Sequence, residues 1–228
     1  MRCHPSRVDA AQDISENCRA MDYQAGTSGT QSAGRDDQRG APRYLSLIRS
    51  AKLISPAGEF LCVIRDVSAT GIGLRGFHRL PSDSAVALEL QNGETFELHA
   101  VRRQGVDGSY RFERPIEVDR LIREVWNYPK RQLRLNLCVP LTLTTLTQRA
   151  EAVTLNLSQQ GARIECDAAF AIDQNVRVRG QGMNDIRAKV RWRRDAHYGL
   201  VFDNTFSLRE LALHAAALQC PQLLEETG

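Results

Sequence analysis

A six-residue element occurs twice in this chain at a fixed separation. Asp66-Val-Ser68-Ala-Thr-Gly71 returns as Asn156-Leu-Ser158-Gln-Gln-Gly161, and the three matched positions are each 90 residues apart. A constant offset of this length indicates two copies of one structural unit. The 228 residues are therefore predicted to form two domains, each of about ninety residues.

A pair of basic residues precedes each copy of the element. Arg39 and Arg43 precede the first copy, and Lys130 and Arg134 precede the second, and the members of each pair are four positions apart. Guanidinium groups bind phosphates through two parallel hydrogen bonds and also stack on flat rings. One such pair is commonly just solvated and one such element is commonly just a turn. Their joint recurrence, in the same order, favours a binding site.

Short strands followed by one helix are predicted for each copy. The first copy contains alternating apolar runs and the hairpin signal Asn92-Gly93, and Glu117–Trp126 has helical periodicity. In the second copy, a strand region is predicted over 135–146, and Ser207 and Glu210 form a capping box that begins a helix. About six short antiparallel strands and a terminal helix per copy indicate a mainly β fold, either a small closed barrel or a sandwich.

Composition restricts the partners and the location. The chain has a net charge of +3, and residues 1–38 have a net charge of −2. The remaining residues therefore carry +5, which favours an anionic partner. No apolar run is long enough for a membrane span, and no membrane insertion is expected. Cys62 and Cys138 are predicted to be core residues, and the six cysteines show no CxxC spacing, which favours a reducing, cytoplasmic location.

Taken together, these elements resemble the PilZ domain family, whose signature is RxxxR followed by (D/N)xSxxG. The resemblance implies two tandem six-stranded antiparallel β-barrels with C-terminal helices, at residues 39–126 and 127–220. A disordered tail over 1–38 and a C-terminal tail over 221–228 are expected outside them. The resemblance also implies a bacterial receptor that binds cyclic di-GMP and signals the occupancy of its binding site to a partner protein. The implied ligand-binding residues are Arg39, Arg43, Asp66, Ser68 and Gly71.

The second copy departs from the family signature in one place. Lys130 occupies the first arginine position, and Arg131 is adjacent but out of register. Lysine forms no bidentate fork and stacks less well than arginine. A weaker second site is therefore expected, made of Lys130, Arg131, Arg134, Asn156, Ser158 and Gly161.

Other functions find less support in the sequence. Gly71-Ile-Gly-Leu-Arg-Gly76 matches GxGxxG, but no helical pattern follows it, so a strand is predicted there. No spacing suggests a metal site, a cofactor or a nucleophile with its base, and no enzyme activity is expected. Two alternatives remain open. One is a ligand-independent PilZ adaptor. The other is a nucleic-acid binder that uses the alternating cations at 177, 179, 187, 189, 191 and 193, although nucleic acid is the less expected partner.

Overall fold

The computed structural model describes residues 44–122, 132–180 and 185–225. It contains two closed, six-stranded antiparallel barrels, which confirms the fold class predicted from the repeat. The predicted tail over 1–38 lies outside the described residues. So do Arg39, Arg43, Lys130 and Arg131, and the part of the first predicted helix that follows Ile122.

The first barrel is formed by residues 44–112. Its strands are β1 (Tyr44–Ser55), β2 (Gly58–Val67), β3 (Gly71–Gly76), β4 (Ala85–Glu89), β5 (Thr95–Gln104) and β6 (Asp107–Phe112), and α1 (Val118–Ile122) follows them. Around the barrel they are ordered β1-β2-β3-β6-β5-β4. The segment that matches GxGxxG is β3, a strand as predicted.

The second barrel repeats this order. Its strands are β7 (Pro140–Thr144), β8 (Arg149–Leu157), β9 (Gly161–Glu165), β10 (Asn175–Gly180), β11 (Ile186–Arg194) and β12 (His197–Phe202), followed by α2 (Leu208–Gln219) and a short 3-10 helix, Pro221–Leu224. Its circular order is β7-β8-β9-β12-β11-β10. The predicted capping box begins α2: Ser207 Oγ accepts from the Glu210 amide, and the Glu210 carboxylate accepts from the Ser207 amide. Among the described residues, no helix is long and apolar enough to cross a membrane.

Irregularities in the strand ladders also recur between the barrels. Arg65 is the extra residue where β2 shifts register against β3, and Leu155 is the extra residue where β8 shifts against β9. Val101 in β5 and Arg191 in β11 form a second equivalent pair of bulges. Bulges bend and twist strands, so both barrels are curved at the same places.

At the start of the second barrel, one prediction is confirmed only in part and another is wrong. The expected strand over 135–146 is regular only at Pro140–Thr144, although Leu135 forms an isolated bridge with Leu157. The chain before Pro140 is extended but is held partly by a side chain, because the Val139 amide donates to Thr154 Oγ1 at 2.8 Å. Burial alternates along it, and this alternation leaves Cys138 exposed instead of in the core, while Cys62 is buried as predicted.

The two barrels share apolar contacts. Leu61, on β2 of the first barrel, belongs to the core cluster of the second barrel. Phe60 packs with Ala216 of α2 and with Leu223 in the 3-10 helix. The helix of the second barrel therefore covers a strand of the first.

A polar cluster lies beside these apolar contacts. Lys52, which is only 4% exposed, has its Nζ 3.2 Å from Glu59 Oε2 and 3.0 Å from Glu89 Oε2. The same ammonium donates to the Arg134 carbonyl at 3.1 Å. The Glu59 carboxylate accepts from the backbone and side-chain nitrogens of Asn136, and the Glu59 backbone exchanges two hydrogen bonds with the Gln219 amide. Lys52 and Glu59 thus bind the segment that precedes the second barrel, and Glu59 also binds the end of the helix that follows it.

Candidate ligand-binding face

The repeated element forms the same turn in both barrels. The Ser68 amide donates to the Gly71 carbonyl at 2.8 Å, and the Ser158 amide donates to the Gly161 carbonyl at 2.9 Å. Each serine hydroxyl also donates to that glycine carbonyl. The serines are nearly buried, at 8% and 9% exposure. In the structure, the serine hydroxyls therefore stabilise the turn to which they belong.

The two glycines are needed for close approach and not for an unusual backbone angle. A turn glycine is expected to supply a positive φ, but the described glycines with positive φ are Gly58, Gly93 and Gly105. A Cβ on Gly71 would lie 3.2 Å from the Tyr110 carbonyl oxygen, and a Cβ on Gly161 would overlap the Leu200 carbonyl oxygen. Both glycines allow the neighbouring strand to pack against the turn.

The bulge at Arg65 places consecutive side chains on one face. In a regular strand, Arg65 and Asp66 would point to opposite sides of the sheet. Here both line a cleft of about 260 Å³ on the outside of the first barrel, which is also lined by Gly73, Leu74, Arg102, Gln104 and residues 107–109. A Cβ on Gly73 would overlap the Asp66 carboxylate, so the glycine opposite Asp66 leaves room for that side chain.

The charged groups at the rim of this cleft form a loose network. Arg65 Nη1 lies 3.7 Å from Asp107 Oδ1, and Arg75 Nε lies 3.5 Å from the same oxygen. These side chains are each about half exposed. Arg102 donates to Gln104 Oε1 at 3.0 Å. Ion pairs this exposed contribute little to stability, so the arginines can exchange their partners for an anionic ligand at small cost.

The aromatic residue behind the cleft is buried. Tyr110, on β6, is 2% exposed, and its hydroxyl has no hydrogen-bond partner among the described residues. Burial raises the pKa of Tyr110 to about 12. A Cβ on Gly108 would lie 2.7 Å from the Tyr110 ring, so the floor of the cleft is thin at this position.

The equivalent face of the second barrel carries larger side chains. Arg163 stands opposite Asn156, where the first barrel has Gly73 opposite Asp66. Trp192 takes the place of Arg102 beside a bulge, and its indole lies against Gly199. Arg163 and Trp192 therefore occupy positions at which the first barrel has an open cleft.

The structure places the backbone segment that contains Arg134 beside the second turn. Leu135 and Leu157 exchange both backbone hydrogen bonds, and the Gln160 backbone amide donates to Gln132 Oε1 at 3.1 Å. The segment that contains Arg134 thus runs along the turn from Ser158 to Gly161. In the first barrel, Tyr44 opposes Val67 just as Leu135 opposes Leu157.

Three residues of the cleft were not anticipated from the sequence. Arg65, Gly73 and Arg102 line it, but none belongs to the repeated motif. Their common feature is a position at, beside or opposite a bulge. A comparison of the two copies gives a partial signal, because Gly73 and Arg102 are replaced by Arg163 and Trp192 at the 90-residue offset.

No group of three or more histidine, cysteine, aspartate or glutamate side chains could hold a metal ion in the part of the chain that the structure describes. His78 is buried beside Phe60, with ring centroids 5.3 Å apart, and its Nδ1 lies 2.7 Å from the Arg79 carbonyl oxygen. Burial lowers its pKa. This histidine packs beside Phe60, the residue that contacts the second barrel, and it does not line the cleft.

Comparison with known proteins finds one family model that matches the second barrel. Residues 129–216 match the family model described as PilZ domain. The match includes the second basic segment, the turn from Ser158 to Gly161 and most of α2. No curated protein matches the chain.

Several solved structures are similar to this chain. The PlzA protein of Borreliella burgdorferi, in complex with c-di-GMP, is 9% identical with a TM-score of 0.30, and the alignment covers 73% of this chain and 86% of that chain. The inhibitor of motility MotI/DgrA of Bacillus subtilis is 13% identical with a TM-score of 0.33, covering 78% and 99%. YcgR of Escherichia coli, in complex with c-di-GMP, is 12% identical with a TM-score of 0.28, covering 73% and 81%.

Proposed function

Since residues 129–216 match the PilZ domain family model, we propose that this chain is a PilZ protein and a receptor for cyclic di-GMP. The main binding face is the cleft of the first barrel, beside Asp66. In this proposal, the chain is a tandem of two PilZ domains, at 39–126 and 127–220, located in the cytoplasm of a bacterium. It has no catalytic activity of its own and relays ligand occupancy to a partner protein.

The chemistry of the cleft carries this proposal. Cyclic di-GMP has two phosphates and two guanines. Arg65 and Arg102 lie on the same face as Asp66 and offer guanidinium groups to the phosphates. The Asp66 carboxylate is suited to accept hydrogen bonds from guanine N–H groups. Arg39 and Arg43 precede β1, whose first residue, Tyr44, opposes Val67 next to Asp66, so these two arginines are expected to cover the ligand from the open side.

The second barrel is proposed as the weaker site. Its residues are Lys130, Arg131, Arg134, Asn156, Ser158 and Gly161. Asn156 has a neutral side chain where the first barrel has a carboxylate, and Arg163 and Trp192 cover the position of the open cleft. A ligand would have to displace these side chains before it could contact Asn156.

The test is a calorimetric titration of the full chain with cyclic di-GMP, repeated with Arg43→Ala, Asp66→Ala and Arg102→Ala. Each of these groups is expected to make a charge-assisted contact, so each substitution should weaken binding by about tenfold or more. Arg149→Ala is the matched control, because Arg149 is an exposed arginine at the far end of the second barrel.

Three outcomes would separate the alternatives. Binding that is unchanged by all three substitutions but lost in Asn156→Ala would move the main site to the second barrel. An absence of binding by calorimetry and by a second probe would contradict the receptor proposal and leave a ligand-independent adaptor. Binding of duplex DNA with a steep salt dependence, and none of cyclic di-GMP, would instead support a nucleic-acid binder.

A further inference from the structure

The positive charge of the chain is concentrated in one part of the second barrel. Residues 173–195 contain seven arginine or lysine residues and three aspartates, a net charge of +4, whereas the whole chain carries +3. The rest of the chain therefore sums to −1. This stretch spans β10 and β11, which are neighbours in the barrel.

The cations on these strands share one exposed face. Arg177 is directly opposite Arg187 in the ladder between β10 and β11. Like charges that face each other across a ladder destabilise a sheet. Asp185 lies 3.7 Å from Arg177 and also pairs with Arg179. Within 132–180 and 185–225, no carboxylate pairs with Arg187 or Lys189. These two cations are therefore available to an external anion.

Two exposed aliphatic side chains lie at the end of this face. Leu146, at the turn between β7 and β8, is 105% exposed, and Ile172, in the loop before β10, is 60% exposed. Arg177 of β10 opposes Thr144 of β7, so the turn that follows Thr144 lies next to the loop that precedes Asn175. Single exposed aliphatic residues are ordinary. Leu146 and Ile172 differ from such isolated residues, because they lie on adjacent loops beside the part of the chain in which the positive charge is concentrated.

We propose that this end of the second barrel docks on an anionic lipid surface, with Leu146 and Ile172 entering the headgroup region and Arg177, Arg187 and Lys189 contacting lipid phosphates. The contact is peripheral and involves only side chains, so it requires no spanning helix. It departs from the sequence-based expectation of no membrane insertion, which rested on the absence of a long apolar run.

The arrangement fits lipid better than the other anionic partners. A protein interface derives its affinity from side chains that fill well-packed pockets, and the boundary of lipid acyl chains accepts a protruding side chain without such a pocket. A nucleic-acid backbone would contact the cations but leave Leu146 and Ile172 in water. An anionic leaflet satisfies both kinds of side chain, because each nearby arginine or lysine is attracted to its surface.

Docking by this end would leave the ligand faces accessible. β8 begins at Arg149, next to the turn that contains Leu146, and ends at Leu157, next to Ser158. The lipid-facing turn and the ligand-motif turn are therefore at opposite ends of one strand. In the described part of the chain, the first barrel contacts the second through α2 and through the segment before β7.

The experiment is flotation of the full chain with vesicles of phosphatidylcholine alone and with added phosphatidylglycerol, at low and high salt. Binding is expected only to the anionic vesicles, and it should weaken as salt increases. Leu146→Asp and Ile172→Asp should each lower the partition coefficient by about tenfold or more. The transfer of one aliphatic side chain out of water contributes at least the free energy that corresponds to a tenfold change in that coefficient. Arg187→Glu together with Lys189→Glu should have a comparable effect.

Val101→Asp is the matched control, because Val101 is 69% exposed on the first barrel and the exchange changes the net charge equally. It should leave flotation unchanged. Equal binding to neutral and anionic vesicles, or none to either, would overturn the proposal. Flotation that is insensitive to Leu146→Asp and Ile172→Asp would do the same. Duplex DNA binding that depends on Arg187 and Lys189, without flotation, would identify the face as a nucleic-acid surface instead. Unchanged thermal midpoints verify that each variant is folded.

Discussion

The two turn glycines have the same place in the motif but different surroundings. A Cβ at Gly161 would overlap the Leu200 carbonyl oxygen, while a Cβ at Gly71 would lie 3.2 Å from the Tyr110 carbonyl oxygen. We expect Gly161→Ala to destabilise the protein by about 1–3 kcal/mol and Gly71→Ala by less than about 1 kcal/mol, because the first must displace a backbone carbonyl much further than the second. Urea denaturation of both variants measures the difference, and equal losses would contradict the expectation.

The buried thiol of Cys62 makes stability depend on alkaline pH. Burial raises the pKa of Cys62 from 9.0 to about 12. An unfolded chain would ionise this thiol first, so the stabilisation is complete below pH 9.0 and is lost as the pH rises towards 12. Tyr110, whose pKa is raised from 10.0 to about 12, acts in the same direction.

Replacement of Cys62 should therefore make this pH dependence shallower. In Cys62→Ala, the free energy of unfolding should fall less steeply above pH 9.0 than in the unmodified protein. Cys138→Ala is the control and should leave the slope unchanged, because the Cys138 side chain is exposed in the folded protein. The measurement is urea denaturation at a series of alkaline pH values. An identical slope in the Cys62 variant would show that the thiol does not contribute.

At the scale of elements, the buried Lys52 ammonium of β1 pairs with Glu59 of β2 and binds the segment that precedes the second barrel. Lys52 compensates Glu59 and Glu89, whose side chains are 15% and 30% exposed. In Lys52→Met, both carboxylates lose their cation, although Glu59 keeps its hydrogen bonds from Asn136, and the expected destabilisation is about 3–5 kcal/mol. The control is Arg149→Met, which breaks the exposed pair between Arg149 and Glu151 and should have little effect. Chemical denaturation measures both, and similar effects of the two substitutions would contradict the role of Lys52.

The element order was largely predictable, and the exceptions have one cause. Alternating apolar residues, Asn92-Gly93 and the capping box at Ser207 are local signals, and each corresponds to an observed feature. The bulges at Arg65 and Val101 arise from register across strands that are distant in sequence. No local pattern marks them, so the sequence predicted Asp66 as a site residue but not Arg65 or Arg102 beside it.

The same reasoning explains the error at the start of the second barrel. The apolar segment that begins at Leu135 has the residues of a strand, but its backbone is held by Thr154 and by Lys52 of the other barrel. These partners lie far away in sequence. Periodicity predicted that the segment is extended, and it could not predict which groups would satisfy its backbone.

At the scale of the whole molecule, Leu61 links the stability of the two barrels. It is fully buried, it belongs to β2, and it packs in the core cluster of the second barrel. We expect the intact protein to unfold in a single calorimetric transition. Leu61→Ala should destabilise it by about 2–5 kcal/mol and should separate the transition into two, since it weakens the contact more than either core. Two transitions in the unmodified protein would contradict this coupling.

The surface of the first barrel that contacts α2 has no equivalent on the second barrel. Glu59, Phe60 and Leu61 make the strand surface on which α2 rests, and the 90-residue offset replaces them with Arg149, Ala150 and Glu151. The first barrel thus presents an apolar strand to α2, whereas the corresponding strand of the second barrel begins with two exposed charged residues. The α2 helix of one copy therefore finds no equivalent surface on the second barrel of another copy. This difference disfavours growth into filaments through the contact that joins the two barrels.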